Sequence, residues 1–188
     1  HVTMVDLTEE FCEIARWLNE ATGLADRIEV ARADALALPF ADGSFDLVWS
    51  QHVQMNIGDK PGLYSEIRRV LAPGGRLALW DILAGPVQPI HFPVPWAQTD
   101  ATSFLAAPDA FRGLLADAGF GPAAWNDLTP EASAFFENLV TTGGPPGPLG
   151  LHVFVPDMPE KAANVVRNLR EDRLRLLQAV LVAEGAAS

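Results

Sequence analysis

A chain of 188 residues, 49% hydrophobic and 20% charged, has the apolar content for one domain with a real core and is not a disordered chain. Its 24 acidic residues outnumber 13 basic ones, and the net charge of -11 repels phosphate backbones and anionic membranes, which argues against a nucleic-acid substrate. A single cysteine, Cys12, allows no internal disulfide, and no Cys/His spacing suggests a metal site.

The first half alternates short apolar strands with amphipathic helices, the pattern of a parallel α/β sheet. Val2–Leu7 reads as a strand. Thr8 is placed as a helix N-cap, Glu9 and Glu10 favour the helix N-terminus, and Phe11, Ile14, Ala15 and Leu18 recur at helical spacing up to Gly23. Cys12 falls early on that helix and is expected to be an ordinary buried residue. Ile28-Glu29-Val30 is the next strand. Turn residues Pro39–Ser44 lead into Phe45–Trp49, an apolar run expected to be buried on both faces. Leu63, Ile67, Val70 and Leu71 mark a helix stopped by Pro73-Gly74-Gly75, and Arg76–Ile82 is another strand expected to be buried on both sides.

After Ile82 the texture changes. Ala84–Thr102 carries Pro86, Pro89, Phe92, Pro93, Pro95 and Trp96, and a connection so long and apolar is expected to be a substrate lid or binding loop. Phe111, Leu114, Leu115 and Ala118 mark a helix ending at Gly119, and Phe120–Asp127 supplies a strand. Thr129 and Pro130 read as an N-cap and a first helical residue. Gly143–Pro148 breaks the chain, Asp157 and Glu160 suggest a capping box for a helix through Leu169, and Leu174–Ala183 fits a last strand or continued helix.

Two acids stand at strand ends, on the carboxyl edge where α/β sheets bind nucleotides. Asp6 suits the two hydroxyls of a ribose, or else caps the following helix. Leu7 suits an adenine face, or else the core. Asp34 suits an adenine amino group while the Ala35 N–H donates to a ring nitrogen; its competing use is a turn aspartate. Ser50, Gln51 and His52 follow the third strand, in a run through Asn56 dense in neutral hydrogen-bonding groups that can orient a small polar substrate. His52 can act as a base near neutral pH, or bond backbone in a loop.

Val2-Thr3-Met4-Val5-Asp6, Ala33-Asp34-Ala35, Phe45–Ser50 and Leu71-Ala72-Pro73-Gly74-Gly75-Arg76-Leu77, in that order, resemble the class I S-adenosylmethionine-dependent methyltransferases. Phe92–Ala97, Gly119-Phe120 and Pro145–His152 resemble the sarcosine/dimethylglycine-type N-methyltransferases, and Trp49-Ser50-Gln51 also resembles the quinone-biosynthesis C-methyltransferases. The resemblance spans nearly the whole chain. It implies a Rossmann-like sheet with helices on both faces, S-adenosylmethionine as cofactor, and methyl transfer to a nitrogen, oxygen or carbon of a small molecule. Asp6 would hold the ribose, Leu7, Asp34 and Ala35 the adenine, and Ser50 and Gln51 the methionine end. His52, Gln54, His91, Trp96 and His152 would wall the substrate pocket. Trp96 and Phe92 can face a cationic amine, or pack as a lid. His52 is the single base candidate, and methyl transfer from a sulfonium often needs no strong base because positioning supplies much of the barrier reduction.

Two departures accompany the resemblance. Asn56 stands where many relatives have histidine. The glycine-rich loop and its strand, expected before Val2, are not in the sequence; with their helix they amount to on the order of 30 residues. That strand belongs between the one ending near Leu7 and the one ending near Ser50, so unpaired backbone is expected down the middle of the sheet, in a chain that should not fold well alone. The expectation is one N-terminally incomplete domain over residues 1–188, with a lid over 84–102. No run approaches the ~20 apolar residues of a membrane span and the start lacks a basic leader, so the enzyme is expected to be cytoplasmic, without nucleic-acid or membrane partners. Oligomeric state is open. The alternative is a non-catalytic methyltransferase-like binding or partner subunit. A nicotinamide-dependent oxidoreductase shares the Asp6 signal but not Asp34-Ala35 or the Pro-Gly-Gly strand entry, and a reversed last strand would separate the two folds.

Overall fold

The computed structural model describes residues 1–142, 153 and 155–184. In chain order the elements are β1 (Val2–Asp6), α1 (Glu9–Ala21), β2 (Ile28–Arg32), β3 (Phe45–Gln51), α2 (Lys60–Val70), β4 (Leu71–Ala84), α3 (Pro108–Asp117), β5 (Phe120–Asp127), α4 (Thr129–Thr142), α5 (Met158–Arg170) and β6 (Leu174–Ala183). The alternation of strands and helices read from hydrophobic periodicity is present throughout, and Leu174–Ala183 is a strand.

The strands form two sheets. β1 pairs with β2 in parallel, Val2 opposite Ile28 and Asp6 opposite Arg32, with α1 as the crossover. The second sheet has the order β3-β4-β6-β5. β3 and β4 are parallel, whereas β6 runs antiparallel to both β4 and β5. This reversed last strand is the feature that separates the methyltransferase pattern from a nicotinamide-binding sheet.

Helices cover both faces of the second sheet. Leu77, Leu79 and Leu83 of β4 and Leu177, Ala179 and Leu181 of β6 point to one face, where Leu63, Tyr64 and Ile67 of α2 and Phe111 and Leu115 of α3 close over them. Alternation sends Ile82, Leu174 and Leu176 to the opposite face, against Ala132 of α4 and Val165 and Leu169 of α5. Ile90, Val94 and Ala97 join this second core, so segment 84–102 is packed rather than loose.

Burial on both sides does not hold for Phe45–Trp49. Leu47 is 56% and Trp49 69% exposed, because β3 has a partner only in β4 and no described helix covers that face. For Arg76–Ile82 it holds in part: Arg76 and Trp80 are exposed while the alternate leucines are buried. β1 likewise has a partner on one edge only. A row of backbone N–H and C=O groups is therefore open on β3 and on each strand of the two-stranded sheet.

The break is spanned by the segment joining β2 to β3. Arg69 of α2 donates to Leu38 O at 3.0 Å, Phe40 O at 2.7 Å and Asp42 Oδ1 at 2.7 Å, and it pairs with Glu66 Oε1 at 2.7 Å. Glu66 in turn accepts from Leu38 N at 2.7 Å. Ala35 packs on the core beneath α2 and α3.

Cys12 is fully buried on α1, as expected of an ordinary core thiol. Other local signals come out differently. Thr8 occupies the α1 N-cap without a side-chain bond, while Asp6 Oδ1 accepts from Thr8 N at 2.8 Å. Asp157 sits in the left-handed region at φ 56° and makes no side-chain cap bond, so the expected capping box with Glu160 is absent. Thr129 is itself the first residue of α4, and its hydroxyl accepts from Leu176 N at 3.0 Å. Asp59, which carries no such expectation, caps α2 through Gly62 N at 2.9 Å. Among the described residues no helix is long and apolar enough to cross a membrane.

The contrast between buried and exposed strand residues is measurable. Leu79→Ala should cost about 3 kcal/mol of unfolding free energy, whereas Trp49→Ala should change it by less than about 0.5 kcal/mol. Urea denaturation of the two variants beside the parent chain checks both values.

Candidate functional site

Three strands of this chain end in polar groups at their carboxyl edges. Asp6 is the last residue of β1, and Ala33 N donates to Asp6 O at 3.0 Å, which sets Asp34 beside it just past the end of β2. Both acids use one oxygen locally: Asp6 Oδ1 takes Thr8 N, and Asp34 Oδ1 takes Leu36 N at 2.9 Å. No described group bonds the second oxygen of either, and Asp34 is exposed. The turn use and the ligand use are thus compatible, because a carboxylate has more lone pairs than its turn consumes. Leu7 is exposed beside Asp6, and Ala35 is half-buried beyond Asp34.

β3 ends in Ser50, which is buried, and Gln51, which is exposed. The chain then turns sharply: His52 has φ 53°, a left-handed conformation unusual outside glycine, and its N–H donates to Trp80 O at 2.9 Å. Crowding of the imidazole, whose ring centroid lies 6.4 Å from that of Trp80, lowers its pKa through lost solvation.

Residues 1–79 match a family model described as a methyltransferase domain. The chain is 32% identical over 149 residues to the ubiquinone/menaquinone biosynthesis C-methyltransferase UbiE of Paracoccus denitrificans, covering 68% of this chain and 60% of that protein. It is 30% identical over 128 residues to the sarcosine/dimethylglycine N-methyltransferase of Halorhodospira halochloris, covering 68% of this chain and 46% of the relative. The chain thus spans less than two thirds of the length of these curated relatives. In three dimensions it overlays geranyl diphosphate C-methyltransferase from Streptomyces coelicolor A3(2), solved with S-adenosyl-L-homocysteine, with a TM-score of 0.76 at 19% identity over 96% of this chain and 63% of that one. The fold is that of the Rossmann-like class I methyltransferases.

Within this methyltransferase fold the remaining predicted residues are dispersed. Gln54, expected on the substrate wall, is 0% exposed: its Nε2 donates to Ile82 O at 2.7 Å and to Asp81 Oδ1 at 3.4 Å. It supports the turn from below and does not line a pocket, because the 3-10 turn Gln54–Asn56 points it inward. His91 bonds Glu171 Oε2 at 2.7 Å through Nε2, and its backbone is held by Asn168 at 2.7 and 3.0 Å. Trp96 donates from Nε1 to Ser103 Oγ at 3.0 Å and packs on the second core. Both side chains serve segment 84–102 in this structure. His152, with the Pro145–His152 motif, lies outside the described residues.

Sequence reasoning missed Asp81, Lys60 and Tyr64. Asp81 is 0% exposed within β4 and accepts from Val53 N and Gln54 N at 3.2 Å each and from Ile82 N at 3.0 Å. Burial pushes its carboxyl up to about 6, although these N–H groups favour the charged form. Lys60 Nζ donates to Gln54 O at 2.7 Å and Ile57 O at 3.1 Å; burial lowers its amine to about 8 against the opposing pull of Asp81. Burial and then the Asp81 charge push the Tyr64 phenol upward. One signal was available: an acid inside the apolar run Leu77–Leu83 has to be paid for by buried partners.

The Asp81 shift has a thermodynamic consequence. Its pKa is higher folded than unfolded, so the folded state binds more protons in between and stability falls as pH rises from about 4 to about 6. Relative to Asp81→Asn, the parent chain should lose about 3 kcal/mol across that window. Denaturant titrations of both proteins at a series of pH values test this.

Proposed function

We propose that this chain serves S-adenosylmethionine-dependent methyl transfer to a nitrogen, oxygen or carbon of a small molecule. The observation that carries the reading is the pair of adjacent strand-end carboxylates, Asp6 and Asp34, each with a free oxygen at the carboxyl edge of a class I methyltransferase sheet. Such oxygens fit the hydroxyls of a ribose and the amino group of an adenine, both of which are donors. The methyltransferase family match over residues 1–79 and the solved neighbours bound to S-adenosyl-L-methionine or S-adenosyl-L-homocysteine support it.

In this reading Asp6 holds the ribose, and Leu7 and the Asp34-Ala35 pair hold the adenine. Ser50 and Gln51 face the methionine end, with His52 beside the acceptor. When bound, S-adenosylmethionine supplies an electrophilic methyl group on a sulfonium. The protein orients the acceptor for in-line attack, and His52, at the turn after β3, is placed to take a proton where the acceptor carries one. Segment 84–102, whose Ile90, Val94 and Ala97 are buried, acts as a fixed wall of the acceptor pocket and not as a swinging lid. A glycine-loop strand fits the break between β1 and β3, where both edges are unpaired. That same break favours a second reading, a methyltransferase-like binding subunit without catalysis.

Calorimetric titration of S-adenosylhomocysteine into the chain tests the cofactor assignment. Binding is expected, and Asp6→Asn and Asp34→Asn should each weaken it about tenfold, the loss of one charge-assisted hydrogen bond. Absence of binding by the parent chain, or unchanged affinity in both variants, overturns the assignment. Binding with no transfer to any amine, phenol or activated-carbon acceptor selects the second reading.

A further inference from the structure

The turn that follows β3 is gripped from two sides by buried charges. From β4, the Asp81 carboxylate takes the N–H groups of Val53 and Gln54, at the start of the turn, at 3.2 Å each. From α2, the Lys60 ammonium takes the carbonyls of Gln54 and Ile57, at its end, at 2.7 and 3.1 Å. An anion at the free N–H end and a cation at the free C=O end are the placements that a helical turn's backbone dipoles favour. The two charges reach the same turn through its backbone, and no direct salt bridge joins them.

Core stability does not account for Asp81. Alternation along β4 places it with Leu77, Leu79 and Leu83 on the face covered by α2 and α3, where a leucine would pack without a desolvation cost. A buried carboxylate there is favourable only through what it orders. What it orders is the segment carrying His52, in its left-handed conformation, and Gln51, immediately before Val53. We propose that Asp81 is a positioning residue: by holding the Val53 and Gln54 amides it sets the geometry of Ser50, Gln51 and His52 at the methionine end of the site. This rests on the reading of the site given above.

The groups facing Asp81 are Lys60 and Tyr64 from α2 and the Gln54 amide from the turn, while β6 presents Leu177 opposite it. His52 lies one turn residue away with its ring beside Trp80. Protonating Asp81 removes acceptor capacity from the turn, and Asp81→Asn does so permanently while keeping the shape of the side chain.

Two measurements on the parent chain and Asp81→Asn decide the matter. In 15N–1H spectra recorded across pH, the Val53 and Gln54 amides of the parent should shift together with one midpoint near about 6, and those of Asp81→Asn should not. In calorimetry, Asp81→Asn should bind S-adenosylhomocysteine about tenfold more weakly than the parent well above that midpoint and equally well below it. Its thermal midpoint should not fall at the higher pH, whereas loss of a merely structural residue would lower stability and binding together. The proposal is overturned if the two amides do not titrate in the parent, or if Asp81→Asn binds as tightly as the parent at the higher pH. If the parent binds no S-adenosylhomocysteine at any pH, the cofactor assignment fails, and the amide titration alone decides whether Asp81 holds the turn.

Discussion

β4 is hydrogen-bonded along both edges, to β3 on one side and to β6 on the other, and the second sheet takes its form from this pairing. With both rows of backbone groups satisfied, β4 can lie deep in the molecule, and its alternate leucines fill the space under α2 and α3. The antiparallel register with β6 brings Leu174 and Leu176 onto the opposite face, where α4, α5 and segment 84–102 build the second core. The parallel register with β3 brings Gln51 level with Trp80, and so places the turn after β3 directly over Asp81. The site's geometry is an outcome of strand pairing carried to the strand ends.

The β1-α1-β2 unit depends on other forces. A two-stranded sheet has little independent stability, and α1 covers it chiefly through Cys12 and Ala15. Its connection to the rest runs through the Arg69 fork, which holds the Leu38 and Phe40 carbonyls and the Asp42 carboxylate of the joining segment against α2. Phe11, Ile14, Trp17 and Leu18 on α1, like Leu47 and Trp49 on β3, are exposed apolar side chains.

Carboxylates do two different jobs here. Asp6 and Asp34 sit at strand ends with part of their acceptor capacity open, which suits a ligand rich in donors. Asp81 is enclosed, spends its acceptors on backbone, and carries a raised pKa as the cost of burial. In a methyl-transfer site these jobs are complementary. The outer acids would take the nucleoside, and the inner one would hold the turn that aims the acceptor, in a reaction whose barrier responds to alignment more than to acid–base strength.

Much was legible in the sequence because it is local. Strands and helices announce themselves by period and Asp6 and Asp34 by following apolar runs, whereas Pro73-Gly74-Gly75, expected as the stop of a helix, lies inside β4 where the register with β3 shifts. What each face meets is settled by packing between distant segments. The exposure of Leu47 and Trp49 follows from the position of β3 at a sheet edge, which no periodicity encodes. Gln54 falls in a run of neutral hydrogen-bonding groups suited to a polar substrate, yet three-dimensional packing turns it inward onto Ile82 and Asp81. Asp157 had the spacing of a cap but not the backbone conformation, which is set by how the chain enters α5. Which segments form, and in what order, follows from neighbours along the chain. Strand order and layer packing decided which polar groups are buried together, because those partners lie far apart in sequence and meet only when the sheet is assembled.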